Sequence, residues 1–571
     1  MDTTQQSAVV EALDKLYEFE REPVSEGQHQ PGKYFAGLFC GEHVAGTEFV
    51  IGVLFVKWGA SVWDIFVGLA IGNALAVLTW TFMCAPIAVQ TRLTLYWYLR
   101  RIAGPVTTAV YNVLNAFLFC ILAGCMITVS ASAVRIPFGI APQTGVLPTD
   151  IRFVIVVLAV GAVVVSLAVL GFKRLAQFAT VCSPWMFLMF VAGALAMLPS
   201  LAANTPGTAP IRSFGDFWRL AQEVIWTGQA PPGGEQITFW RIAAFAWICN
   251  LAVHAGLSDM ALFRFARHWG YGLYSGFGMF LGHYLAWICA GIMGAAAAKM
   301  LYAGMPVFEA LLKIDAGEMA YTALGVSGIL AVIAAGWTTA NPTLYRAGLA
   351  LQAVTPGWPR WLVTLVAGAI TTVMACSPWV FVKLLDFVGL YGLLLMPVGA
   401  IVFAEHWIFP RIGLVRFWAT RNGRNCYWPA LAAWGIAIAA ALAANHLGYI
   451  HLFYLFVPAW LLTVALYIAF ARLAGAGEPC SDEETAPVPR QTHTVRAKVR
   501  KPLSASGWVA GLVTLGALIA CGVWPVYVFA ADAGGYAERL AAMRAWLTLP
   551  TVLYFIAGTW FAVKWSAAKG E

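Results

Sequence analysis

The sequence predicts an all-α polytopic membrane protein built on two inverted five-helix repeats (5+5), with about four additional helices and about 14 transmembrane helices in total. Three observations predict it. Charged residues make up only 11% of the 571 positions, against 61% hydrophobic, whereas a soluble domain carries about 25% charged residues; mean hydropathy is +0.75. The apolar residues come in runs of about 20 or more, the length that crosses a bilayer core. Two of these runs, five spans apart, are interrupted by polar and glycine residues, as expected of discontinuous helices in corresponding positions of inverted repeats. This composition excludes a soluble globular enzyme, a disordered chain and a nucleic-acid-binding protein. The lipid bilayer is its expected surroundings.

Residues 1–33 are polar, with a short helical pattern around Val9–Phe19, and are expected to form a cytoplasmic tail without a cleaved signal peptide. Spans are predicted at 34–56, 62–89, 105–134, 151–170, 177–199, 240–263, 274–299, 321–345, 361–381, 384–409, 428–446, 450–473, 506–530 and 545–565, numbered 1 to 14 below. Spans 1–12 form a core over 34–473, with repeats at about 34–199 and 240–409; only a few residues part spans 11 and 12. The longest outer segment, about 200–239, holds Pro231-Pro232-Gly233-Gly234 and an amphipathic stretch near 217–226, expected to lie along the interface. Segment 474–503 is a cytoplasmic linker, and 504–571 hold two extra spans and a tail. Spans 13 and 14 have no counterpart in the core and are candidates for a homo-oligomer contact or for stabilising it.

Net charge is +8, from 35 Lys and Arg against 27 Asp and Glu. The basic residues gather after even-numbered spans: Arg92, Arg100, Arg101, Lys173, Arg174, Arg264, Arg267, Arg346, Arg360, Arg411, Arg416, Arg421, Arg424 and the stretch 496–501. Loops rich in Lys and Arg stay inside, so both termini are expected in the cytoplasm, with the protein in a bacterial inner or plasma membrane. The 11 cysteines have no regular spacing and read as small buried hydrophobes.

An ionisable residue deep in a bilayer costs roughly 2.5–3.5 kcal/mol on insertion scales, so it faces a bundle interior or a watery cavity. Span 1 carries Gly41-Glu42-His43-Val44-Ala45-Gly46-Thr47-Glu48, two carboxylates and a histidine beside helix-weakening glycines. Span 6 carries Asn250, His254, Gly256, Ser258 and Asp259; span 8 carries Gly336-Trp337-Thr338-Thr339-Ala340-Asn341-Pro342-Thr343; span 3 carries Asn112, Asn115, Phe117 and Phe119. Adjacent threonine hydroxyls, with carbonyls freed near a proline, suit a hard cation such as Na⁺, although such hydroxyls also bond back to their own helix. Phe119 is a candidate for stacking on a planar ligand, and Asn115 is a candidate substrate contact beside it. An unpartnered carboxylate is costly to desolvate, so Glu42 and Glu48 each require a partner: a ligand cation, a proton or His43.

Trp337-Thr338-Thr339-Ala340-Asn341-Pro342-Thr343-Leu344-Tyr345 with Ala347-Gly348-Leu349 resembles the eighth helix of the nucleobase:cation symporter-1 family, in its purine/cytosine permease-like members. Pro397-Val398-Gly399 through Glu405-His406 resembles the end of that family's tenth helix. His254-Ala255-Gly256 through Arg264-Phe265-Ala266-Arg267 resembles its sixth helix, and Gly59-Ala60-Ser61 through Gly72-Asn73 its second. The resemblance is closest in motif to the cytosine permease and covers about 34–470. It implies a leucine-transporter-type fold and import of nucleobases, hydantoins or related vitamins, coupled to Na⁺ or H⁺. The Na⁺ would be held by Thr338, Thr339, the Ala335 carbonyl and carbonyls near Gly41 and Ala45. In the substrate pocket the family's stacking tryptophan falls on Phe119, a glutamine on Ala116, the helix-6 aromatic on Ala252, and the helix-6 aspartate on Ala261 with Asp259 two residues earlier. The family's asparagine falls on Ala340 with Asn341 beside it. The expected substrate contacts are therefore Glu42, Glu48, Asn115, Phe119, His254, Asp259 and Asn341, with no cofactor beyond the coupling ion. The acidic first span favours a substrate other than cytosine, with a positive group or more donors. Alternatives on the same fold are a cationic amine or a divalent metal held by His and carboxylates. A membrane enzyme or sensor is disfavoured, because no nucleotide loop, HExxH or paired nucleophile is present.

Overall fold

The computed structural model describes residues 17–143, 145–205, 210–230, 232–379, 384–478, 502–532 and 534–569. Most of the 474–503 linker, the Val9–Phe19 pattern up to residue 16, Pro231 and the 380–383 connection lie outside the described residues. Among the described residues the regular structure is helical, with one isolated bridge, Ser61 to Thr227. Ten helices are long and apolar enough to cross a membrane, eleven with one bent pair counted as a span. That makes this an integral membrane protein, but length and apolarity alone do not count the expected fourteen crossings. The longest helices of spans 6 and 9, Phe239–Ile248 and Arg360–Ala375, fall short of that length. Span 8, Val326–Val354, is long but polar in the middle.

The interrupted spans break where their sequences predict. Span 1 is Gly32–His43 followed by Glu48–Lys57, bent by 50°. Val44 leaves the helix at φ −88°, ψ 61°. Span 6 is Phe239–Ile248, then Leu251–His254, then Met260–Phe263. Leu257 sits in its break at φ 65°, a left-handed backbone that a leucine adopts only under strain. Span 3 is part of a longer helix, Leu95–Val134, which kinks at Gly104 beside Pro105. Spans 11 and 12 are separate helices, Trp428–His446 and Phe456–Leu473. Span 8 starts later than expected, because Gly325 separates it from the helix Ala316–Leu324, and it runs on past residue 345 to Val354. Span 14 is likewise two helices, Tyr536–Trp546 and Thr548–Lys569.

Close approaches set the positions of the breaks. A Cβ on Gly282 of span 7 would lie 1.9 Å from the His43 carbonyl oxygen, and one on Gly399 of span 10 would lie 1.8 Å from that of Ala255. Neither site has room for a methyl group. Gly399→Ala is therefore expected to push span 10 off the span 6 break at a cost of about 1–3 kcal/mol, read as a lowered melting temperature of the purified protein.

Spans 13 and 14 pack on span 5, Phe172–Ala203. Tyr554 donates its hydroxyl to the Val181 carbonyl at 2.7 Å, and Tyr536 donates to that of Ala196 at 3.0 Å.

Residues 17–31 lie as a strap across the face where spans 2, 6 and 8 end. Val24 N–H donates to the Arg92 carbonyl at 3.0 Å and Gln30 N–H to that of Phe265 at 2.9 Å. Tyr345 donates to Glu18 at 3.0 Å, Arg360 to Glu20 at 3.1 Å and Arg264 to the Phe19 carbonyl at 2.7 Å. His29 in this strap has its proton affinity pushed down to about 4 by burial and by neighbouring Arg92. Released histidine titrates near 6.5. The docked strap thus holds His29 neutral, and its docking weakens as pH falls from about 6.5 towards 4. Hydrogen exchange over 17–31 is expected to quicken on acidification through that range, once corrected for intrinsic exchange, and His29→Gln should lessen that pH dependence.

Candidate transport site

The breaks in spans 1 and 6 meet span 8 in the middle of the bundle. Thr339 donates its hydroxyl to the Glu42 carbonyl of span 1 at 2.8 Å and to the Ala335 carbonyl of its own helix at 3.0 Å. Thr338 donates to Ala334 and Ala335 carbonyls at 3.0 and 3.2 Å. These hydroxyls and carbonyls are oxygen donors, and a hydroxyl can rotate to offer lone pairs to a cation. The span 1 carbonyl against Thr339 belongs to Glu42, one residue beyond the expected Gly41. Gly41 instead packs on span 5, where a Cβ would lie 2.9 Å from Ala179. Ala45 is buried in the break itself.

Arg346 corrects the loop assignment. It lies inside span 8 and is fully buried. Its guanidinium holds Glu42 bidentately at 2.6 and 3.0 Å, and its Nε donates to Asp259 at 2.9 Å. The other Asp259 oxygen accepts from Trp80 Nε1 of span 2 at 2.7 Å. One guanidinium thus ties spans 1 and 6 to span 8, and Asp259 extends the cluster to Trp80 of span 2. A buried arginine needs such partners; Arg264 and Arg360, also expected in loops, are buried too, Arg360 paired with Glu20 and Arg264 donating to the Ala261 and Phe19 carbonyls and the Tyr345 hydroxyl. The signal in the sequence was the pair of acids Glu42 and Asp259, which required a cation, and an arginine lying before any helix-stopping residue.

Beside the threonines is a cavity of about 60 Å³, room for on the order of four waters at ~15 Å³ each. Of the expected residues, Glu42, Glu48, Phe119 and Thr339 line it, with His43, Thr47, Asn250, His283 and Tyr391. Phe119 meets Tyr391 edge-on, ring centres 6.1 Å apart.

Four expected contacts stand off the cavity lining. Asn115 is occupied by Tyr96 at 3.1 Å, Tyr111 at 3.3 Å and Ser258 at 3.4 Å. His254 bonds the Trp247 carbonyl through Nε2 at 2.9 Å and packs on Trp80. Asp259 is engaged by Arg346 and Trp80. Asn341 is buried, and its side-chain amide makes no hydrogen bond. His283 and Tyr391 were missed; a histidine inside the apolar span 7 was itself the signal.

Discontinuous first and sixth helices around a central site define the class: the fold of the leucine-transporter-type carriers. No protein-family model matches the chain, and no curated protein matches it in sequence. Solved structures match the fold. Mhp1, a nucleobase-cation-symport-1 family transporter, in a closed conformation with bromovinylhydantoin bound, superimposes with a TM-score of 0.61 at 18% identity, over 82% of this chain and 98% of that one. Its inward-facing form gives 0.58 at 17% identity, over 81% and 95%. A Na⁺-coupled sialic acid symporter in a substrate-bound outward-open state gives 0.55 at 12% identity, over 81% and 96%.

Proposed function

We propose that the chain is a cation-coupled secondary transporter that moves a small solute by alternating access. The observation that carries this reading is the meeting of two broken helices with span 8, span 1 through the Thr339 hydroxyl on the Glu42 carbonyl and span 6 through Asp259 on Arg346. Carbonyls freed by a break, together with hydroxyls, can replace the water around an ion, and the ion then favours the state that binds solute. Spans 1, 2, 6 and 7 would rock as a bundle against spans 3, 4, 8 and 9. The Arg346 cluster bridges the two groups, so it would close one side of the site and part when that side opens.

The proposed solute is planar and nitrogen-containing: a nucleobase, a hydantoin or a related vitamin. Phe119 and Tyr391 supply aromatic walls, and Asn250 a hydrogen-bonding edge. The hydantoin ligand of Mhp1 supports this class. A cationic amine is the second reading, favoured by the Glu48 carboxylate at the cavity. Divalent metal has no such support: among the described residues no three His, Cys, Asp or Glu side chains converge on one point. A thermal-shift screen of the purified protein against nucleobases, hydantoins, vitamins and cationic amines, with and without Na⁺, tests the proposal. A Na⁺-dependent rise with a planar heterocycle is expected. Stabilisation by amines alone would favour the second reading. Recovery of chemically altered solute from proteoliposomes would overturn transport.

A further inference from the structure

Spans 5 and 14 part near Phe172, where span 5 begins, and Lys569, where span 14 ends. Further along they touch: Tyr554 donates to the Val181 carbonyl at 2.7 Å, and a Cβ on Gly558 would lie 3.6 Å from the Val181 side chain. Where they part, a groove of about 420 Å³ lies between them, within the roughly 300–1,000 Å³ of small-molecule sites. At its polar end the Gln177 amide donates to the hydroxyls of Tyr34 of span 1 at 3.2 Å and Ser566 of span 14 at 3.3 Å. The groove shares no lining residue with the central cavity.

Its lining has two chemistries. Lys173, Arg174 and Gln177 make one end polar and basic, while Phe178, Phe555 and Val563 make apolar walls. The span 5 members recur at three- and four-residue spacing, which puts them on one helix face. Lys173 and Arg174 stand in the first turn of span 5, where the macrodipole disfavours cations and favours an anion, and that turn holds no acid. Glu18, which lies against Gly171, is taken up by Tyr345 at 3.0 Å and by Arg360 at 3.8 Å. The groove opens sideways: Val563 is 57% exposed, on the same span as the exposed Val552, Ile556 and Trp560. On a membrane span such a surface meets acyl chains. Lys564 and Lys569 lie over the rings of Trp560 and Trp565 at 4.8 and 5.1 Å, amphipathic side chains of the kind that gather at headgroup level. A free anion would leave the apolar walls uncovered, and an apolar ligand would leave the cations facing hydrocarbon. A ligand with an anionic head and an apolar chain meets both.

We propose that this groove binds an anionic phospholipid, its phosphate against Lys173 and Arg174 and an acyl chain between Phe178, Phe555 and Val563. Basic pockets between membrane helices recognise anionic headgroups in this way. The lipid fastens span 14 to span 5, and span 14, which has no counterpart in the core, completes the site by supplying one wall. The proposal stands apart from the carrier reading, because the groove is remote from the central cavity in its lining and is observed without any solute.

Native mass spectrometry and melting of the full-length protein in detergent test this, with phosphatidylglycerol or phosphatidylcholine of the same chains added. Phosphatidylglycerol is expected to stay bound and to raise the melting temperature; phosphatidylcholine, which has no net charge, and inorganic phosphate are not. Lys173→Ala with Arg174→Ala should weaken phosphatidylglycerol binding at least tenfold. Val563→Trp, which fills the groove and keeps both charges, should weaken it too. Arg411→Ala with Arg424→Ala, a matched pair of exposed arginines at and after the end of span 10, should bind as the native protein does. Equal retention of the two lipids, an equal loss in the Arg411 and Arg424 pair, or unchanged binding in both groove variants would overturn the proposal. Equal stabilisation by inorganic phosphate would reduce the groove to a contact for free anions and overturn it as well. Melting in lipid-free detergent separates misfolding from loss of the site, and Val563→Trp keeps the test alive if the double variant does not fold.

Discussion

Arg346→Ala is expected to cost roughly 3–5 kcal/mol in stability, the penalty for removing one partner of a buried ion pair, and to abolish uptake. The variant leaves Glu42 and Asp259 buried with no guanidinium between them, and Trp80 supplies one hydrogen bond to Asp259 alone. Arg346→Lys keeps the charge but not the planar fork that spans both acids, so it should recover part of the stability and little of the transport. The double variant Glu42→Gln with Asp259→Asn in the Arg346→Ala background is expected to melt higher than Arg346→Ala alone, because it removes the stranded charges. Melting of the purified proteins, with uptake of a solute found by the screen, measures all three. A single Arg346→Ala variant that melts and transports as the native protein does would show that the cluster ties nothing together.

Thr339→Ala comes second in expected effect. It removes the one hydroxyl that reaches from span 8 to the span 1 carbonyl of Glu42. Half-saturation by Na⁺ should rise at least tenfold, about 1.4 kcal/mol, and the Na⁺-dependent part of the solute's thermal shift should disappear. Loss of the hydrogen bond alone costs about 0.5–1.5 kcal/mol of stability. Thr338→Ala is the control: its hydroxyl bonds only carbonyls of its own helix and approaches Met186 of span 5 at 3.7 Å. Its effect on Na⁺ should be smaller. Equal effects would place the ion between spans 8 and 5 instead. Unchanged Na⁺ dependence in both would remove the ion from this site.

Membrane character, the placing of most spans and the two interrupted helices were legible along the chain. They follow from local quantities: the length of an apolar run, a glycine beside a carboxylate, two hydroxyls before a proline. Each is decided by neighbours a few residues away, because backbone hydrogen bonds in a bilayer must be met within the helix. Which polar residue meets which was not legible. Glu42 and Asp259 look like open ligands until span 8 brings Arg346 between them from 304 and 87 positions away. His283 looks like one more residue of an apolar run until span 7 lays it against Glu48, 235 positions earlier. Asn115 and His254 carry the chemistry of a binding site, but Asn115 is held by Tyr96 and Tyr111 of its own helix and Ser258 of span 6, and His254 by the Trp247 carbonyl of its own span. Burial makes an unmet charge expensive, so tertiary packing decides which carboxylate is locked by arginine and which meets hydrogen-bond donors alone, while the local pattern decides only that the carboxylates lie inside the membrane.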